Sequence, residues 1–178
     1  MNYKIILALT TLFLVFTACQ KQEKELVNQD QSQTVDDMKS GNSGKNYTAH
    51  LSGDEEVPPV ETNATGQAIF KLRNNGTELH YKLIVANIDN VFMSHIHMAP
   101  AGSNGPVVVW LYPSAPPPIP IPGPYNGVLA EGVITAENLT GPLAGMELSA
   151  LIEYFNSGEC YVNVHTTDVP SGEIRGQI

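Results

Sequence analysis

Residues 94–106 read SHIHMAPAGSNGP and place two imidazoles, His95 and His97, one residue apart in a chain that has five histidines. In a β-strand, residues i and i+2 leave the same face, so these two rings can converge on one point. A third, His165, lies in YVNVHTTD and shares a strand face with Tyr161 and Asn163. If the two strands meet, three neutral imidazoles form a compact nitrogen site. Such a site suits copper or zinc and is a poor match for calcium or magnesium, which prefer oxygen donors. The motif is short, so two other readings stay open: chance, or histidines that brace the fold through hydrogen bonds. His50 and His80 fall on polar strand faces, with His50 the outside candidate for a fourth ligand.

The C-terminal PSGEIRGQI carries the next group with chemical potential. Glu173, Arg175 and Gln177 alternate with Ile174, Gly176 and Ile178. Glu173 and Arg175 read either as a local ion pair of small energetic value or as residues that orient groups beside a metal. The acidic stretch SGDEEVPPVETNATG, with Asp54, Glu55, Glu56 and Glu61, has no EF-hand spacing and reads as a solvated loop. No catalytic nucleophile motif is present: the sequence contains no G-x-S-x-G, no P-loop and no H-E-x-x-H.

These candidate ligands need strands to hold them, and the sequence supplies a period of two. In GQAIFKLR, Ala68, Phe70 and Leu72 share a face; in ELHYKLIVANI, Leu79, Tyr81, Leu83 and Val85 do. NNGTE at 74–78 is a hairpin signal between them. YTAHLSG, VFMSHIHMA, GPVVVWLY, NGVLAEGVI, CYVNVHT and GEIRGQI add further strands. The spacing predicts an all-β fold, an antiparallel β-sandwich or Greek-key barrel. Two segments interrupt it. PSAPPPIPIPGPYNG at 113–127 holds seven prolines and reads as an exposed loop. GMELSALIEYFNSG at 145–158 spaces Leu148, Leu151, Ile152 and Phe155 helically and stops at Gly158, which predicts one short amphipathic helix over one end of the fold.

The 178 residues suffice for one domain with a core. Residues 1–18 have the form of a signal peptide, with Lys4 ahead of an apolar run from Ile5 to Phe16. The ending Phe-Thr-Ala-Cys resembles a bacterial lipobox, which implies cleavage before Cys19 and lipidation of that residue; ordinary secretion is the other reading. On the same resemblance, Gln20 implies outer-membrane sorting, hence a protein of the cell envelope anchored to a membrane. Residues 19–46 are polar and read as a flexible tether below a domain spanning 47–178. With Cys19 lipidated, Cys160 has no partner and reads as a small buried hydrophobe. The formal charge of −9 argues against nucleic-acid binding.

Four stretches together resemble the CHRD domain family, named after chordin: LSGDEEVPPVETNATGQAIFKL, SHIHMAPAGSNGPVVVWLY, GVLAEGVITAENL and YVNVHTTDVPSGEIRGQI. The family is distantly similar to the copper-zinc superoxide dismutases, which implies an immunoglobulin-like Greek-key barrel. It also implies copper, or else zinc, on His95, His97 and the late His165. No bridging histidine or second His/Asp cluster follows from the sequence, and an acidic chain steers the superoxide anion poorly. The expectation is therefore a lipid-anchored envelope domain that binds a metal ion. A non-metal adhesion module with an envelope protein partner and a dismutase-like redox enzyme stand as alternatives.

Overall fold

A computed structural model describes residues 44–178, and the signal peptide, Cys19 and most of the proposed tether lie outside the described residues. Eight strands follow one another as β1 (Asn46–Ser52), β2 (Thr65–Arg73), β3 (Glu78–Asp89), β4 (Val91–Met98), β5 (Val107–Tyr112), β6 (Pro124–Ile134), β7 (Cys160–Thr166) and β8 (Ile174–Gln177). One α-helix, α1 (Leu148–Ser157), sits between β6 and β7. Every strand pairing is antiparallel, and the order is β5-β4-β7-β8-β1-β2-β3-β6. The sheet curls into a nearly closed barrel, and the non-sequential order is that of Greek-key wiring. The expected all-β class with one short helix is what the described residues adopt.

Alternation explains why these segments became strands. Ala68, Phe70 and Leu72 of β2 and Leu79, Leu83 and Val85 of β3 all point inward with at most 1 % exposure. They meet Ala49 and Leu51 of β1, Ile96 of β4, Val108, Val109 and Leu111 of β5, and Val162 and Val164 of β7 in one core. The interior is mainly hydrocarbon, with Ser94 and Thr166 buried at its margin, and most polar residues on the same strands are driven to the outer face. Cys160 joins that core, and burial pushes its thiol up to about 12, which makes it inert rather than reactive.

Helix α1 closes one end of the barrel. Its Leu148, Leu151, Ile152 and Phe155 are buried, and Gly158 ends it in the left-handed conformation. Phe155 meets Tyr47 of β1 and Phe70 of β2 edge-on, at centroid distances of 5.2 and 5.3 Å.

The proline-rich segment is shorter than its sequence suggests, because β6 begins at Pro124. Pro124 tolerates this place because it opens the strand. The loop that remains is exposed over most of its length, yet it is stitched to the start of β4. Ile119 N–H donates to Phe92 O at 3.2 Å and Ile121 N–H to Val91 O at 2.7 Å.

Candidate metal centre

The site begins with the pairing of β4 and β7. Their register sets Met93 opposite His165, His95 opposite Asn163, and His97 opposite Tyr161. His165 is thus the diagonal neighbour of His95, a separation that long or ring side chains span easily. The three imidazoles do come together. Ring centroids of His95 and His97 are 5.5 Å apart, those of His95 and His165 5.1 Å, and those of His97 and His165 6.2 Å. One ring nitrogen from each lies within 4.8 Å of the other two.

Hydrogen bonds fix which nitrogens are free. His97 Nδ1–H donates to Gly105 O at 2.8 Å, and His165 Nδ1–H donates to Pro170 O at 2.9 Å. A carbonyl can only accept, so both protons sit on Nδ1 and both Nε2 atoms carry a lone pair. His165 Nε2 is 3.2 Å from His95 Nδ1. Two imidazole nitrogens bound at roughly 2.05 Å to a tetrahedral metal are about 3.3 Å apart. That pair is already at ligand spacing; with the His165 proton on Nδ1, His95 Nδ1–H donates across it until an ion displaces that proton.

Burial keeps all three rings neutral. They are 2, 8 and 5 % exposed for His95, His97 and His165. Removal from water, aided by the neighbouring rings, pushes His95 down to about 3. Burial likewise lowers His165 to about 4, against the opposing pull of the Pro170 carbonyl. His97 is lowered by burial too, although the Gly105 carbonyl and Asn163 favour its charged form. At neutral pH the lone pairs are therefore available to a cation.

A buried polar atom without a partner is costly and calls for an explanation. Among the described residues four side-chain atoms are in this condition: His95 Nε2, His97 Nε2, Asn163 Oδ1 and Glu56 Oε1. All belong to this neighbourhood. Asn163 lies directly across from His95, and Glu56 Oε1 and Asn163 Nδ2 crowd the same side of Gly172. Of these, His97 Nε2 is a lone pair that a cation would fill, whereas His95 Nε2 is the far nitrogen of a ring whose Nδ1 faces His165.

The two charged residues expected near the metal take different places. Arg175 is 1 % exposed, with its guanidinium carbon 3.4 Å above the Tyr161 ring. Tyr161 in turn stacks on His97, with centroids 4.8 Å apart and planes at 7°. Because β7 runs between β4 and β8, Tyr161 is the middle layer of this stack. Arg175 also donates to Ser103 O at 2.9 Å, to Asn104 Oδ1 at 3.3 Å and to Pro100 O at 3.4 Å. It thereby clamps the 99–105 loop, whose Gly105 carbonyl orients His97. Gly105 must be glycine, since a β-carbon there would collide with the Met98 carbonyl. Glu173 touches no imidazole and forms no ion pair with Arg175; its carboxylate accepts from Thr62 Oγ1 and Thr166 Oγ1, each at 2.7 Å.

His50 is exposed on β1 and stands apart from the three-histidine group, so it is no fourth ligand. His80 is exposed and contacts Glu78 at 3.1 Å. The acidic stretch divides: Asp54, Glu55 and Glu61 are exposed as expected, but Glu56 is 5 % exposed. Burial raises its carboxyl to about 7 despite the opposing charge of Arg175. Asn163 shares the His165 strand face by spacing, but only tertiary contacts put Glu56 at the site, and no sequence spacing announces it.

Comparison with known proteins gives a family. The model described as CHRD domain matches residues 47–178, most of the chain. No curated protein and no solved structure matches it.

Proposed function

The chain belongs to the CHRD domain family, and from that premise and the converging imidazoles we propose that it is a transition-metal-binding domain, with copper its metal and zinc the principal competitor. The observation that carries the reading is the 3.2 Å approach of His95 Nδ1 to His165 Nε2, beside a third imidazole whose Nε2 is buried and unpartnered. Uncharged nitrogen donors favour copper and zinc over magnesium or calcium, and copper binds such donors most tightly of the divalent first-row ions. His95, His97 and His165 would hold the ion; Gly105 O and Pro170 O fix the tautomers of two of them. Bound copper supplies a centre for metal storage, delivery or electron transfer. The chain's own contribution is a nearly dry trio of neutral imidazoles on two strands, with one proton, on His95 Nδ1, to be released when the ion binds.

We place this domain in the cell envelope, with Cys19 as lipid anchor and residues 19–46 as tether. The lipobox-like ending at Cys19 and the polar composition after it support that placement.

Copper titration of untagged full-length chain tests the metal reading. Trp110, the one tryptophan of the sequence, lies 4.2 Å from the His95 ring centroid, so its fluorescence reports on the site. One equivalent of copper should quench it, with zinc competing. Combined His95→Ala and His97→Ala substitution should weaken binding by about a hundredfold or more, beyond the ten- to hundredfold typical of outer-layer changes. Unchanged affinity in that variant refutes the assignment. A partner captured from envelope extracts in the presence of chelator, with no stoichiometric metal, would favour an adhesion module.

A further inference from the structure

Met93 stands two residues before His95, and strand alternation gives Met93, His95 and His97 one common face. The register agrees, since Met93 is the direct cross-strand partner of His165. Between Val91 and Met93, β4 advances two residues while β7 advances one, from Thr166 to His165. A bulge of this kind sets two residues against one, so Phe92 and Met93 both oppose His165. Phe92 meets that expectation, with its ring 6.2 Å from the His165 ring.

The other residues of β4 account for the opposite face. Val91 and Ile96 belong to the hydrocarbon core, and Ser94 is fully buried. Met98 packs against the core, whereas Met93 is half-buried and is not among the side chains packed there. The backbone bonds from Ile119 and Ile121 to Phe92 O and Val91 O hold the bulge in place.

We propose that Met93 supplies a fourth, thioether donor, and that the centre thereby selects Cu(I) over Zn(II). The inference rests on the three-imidazole reading above and sharpens it to a metal and an oxidation state. A thioether is a soft donor that strengthens a site for Cu(I) and adds little for Zn(II). Met93 comes from the strand that already carries two of the ligands, so it needs no additional ordered segment. Copper enters and leaves as Cu(I), and no electron transfer is required.

Two measurements on the untagged full-length chain and on Met93→Leu test this. Competition with a chromophoric Cu(I) chelator should show roughly a ten- to hundredfold loss of Cu(I) affinity in the variant, with Zn(II) affinity within about twofold of the parent. Leucine keeps the apolar bulk, so a side chain that only covers the site would leave both affinities unchanged, which would overturn the proposal. X-ray absorption of the Cu(I)-loaded parent should show one sulfur scatterer that vanishes in Met93→Leu. Sulfur that persists in the variant, or a parent site of nitrogen alone, also overturns it. Tight Cu(I) binding through nitrogen alone removes Met93 and leaves the three-imidazole centre standing. Failure of the parent to bind Cu(I), Cu(II) or Zn(II) removes both.

Discussion

At the scale of single residues, the centre depends on how the imidazoles are held as much as on their presence. His97 is pinned from two sides: Gly105 O accepts its Nδ1–H, and the Tyr161 ring covers its face. Tyr161 OH also accepts from Gly105 N–H at 3.3 Å, so one residue binds loop and ring together. Arg175 supports both parts. Replacing it with methionine keeps a long apolar stem but leaves Ser103 O and Pro100 O without their donor. We expect Arg175→Met to weaken copper binding about tenfold, as loss of a positioning group does. It should also lower unfolding free energy by roughly 2–4 kcal/mol, since the loop carbonyls lose a charged donor that is itself buried. Chelator competition and denaturant titration check the two effects separately. Unchanged affinity with lowered stability would confine Arg175 to a structural part.

At the scale of elements, the strands and the β2–β3 hairpin were legible, and the pairings between strands distant in sequence were not. The period of two in GQAIFKLR and ELHYKLIVANI marks β2 and β3 because one face of each is wholly hydrocarbon. His-x-His is equally legible, since two positions of one strand share a face by geometry alone. That His165 meets them, and that Asn163 sits between, depends on the register of β4 against β7, which the local pattern does not encode. Glu56 was hidden for the same reason: an acidic residue among acidic neighbours gives no sign that the loop folds inward. The seven-proline segment misleads in a smaller way, since its last residues can still open a strand. The helix was visible from its apolar spacing, and its role as a plug gives a prediction. Phe155→Ala removes an aromatic that touches two others, and should cost about 3–5 kcal/mol. Calorimetry or urea unfolding measures it. Copper affinity of the folded fraction should stay unchanged, because α1 contributes no ligand.

For the molecule as a whole, the buried titratable groups set how stability varies with pH. His95 and His165 have folded values near 3 and 4, below the 6.5 of the free side chain. Their contribution is complete above pH 6.5 and is lost as pH falls, because the unfolded chain takes up protons that the folded one refuses. Glu56 runs oppositely: its folded value near 7 exceeds the unfolded 4.5, so its contribution is complete below pH 4.5 and is lost as pH rises through 7. Between pH 4.5 and 6.5 the three lowered histidines oppose one carboxyl. The metal-free protein should therefore lose at least about 1.4 kcal/mol per unit of acidification in that window, the net proton left by His95 and His165 over Glu56, with His97 adding to it. Glu56→Gln should steepen the acid-side loss by about one further proton's worth, roughly 1.4 kcal/mol per pH unit, since the histidines then act unopposed. Thermal unfolding across pH 4.5–7.5 measures both slopes, and a flat profile in the parent would contradict the burial of neutral imidazoles.

The central claim is that three particular ring nitrogens bind one ion. Long-range proton–nitrogen NMR of the imidazoles, recorded during addition of diamagnetic Cu(I), observes those atoms directly. At one equivalent, Nε2 of His97 and of His165 should lose their lone-pair signatures while Nδ1 of His95 gives up its proton and shifts with them, and His50 and His80 should stay unshifted. Resonances of the three that do not move, or a response confined to the exposed pair, would contradict it.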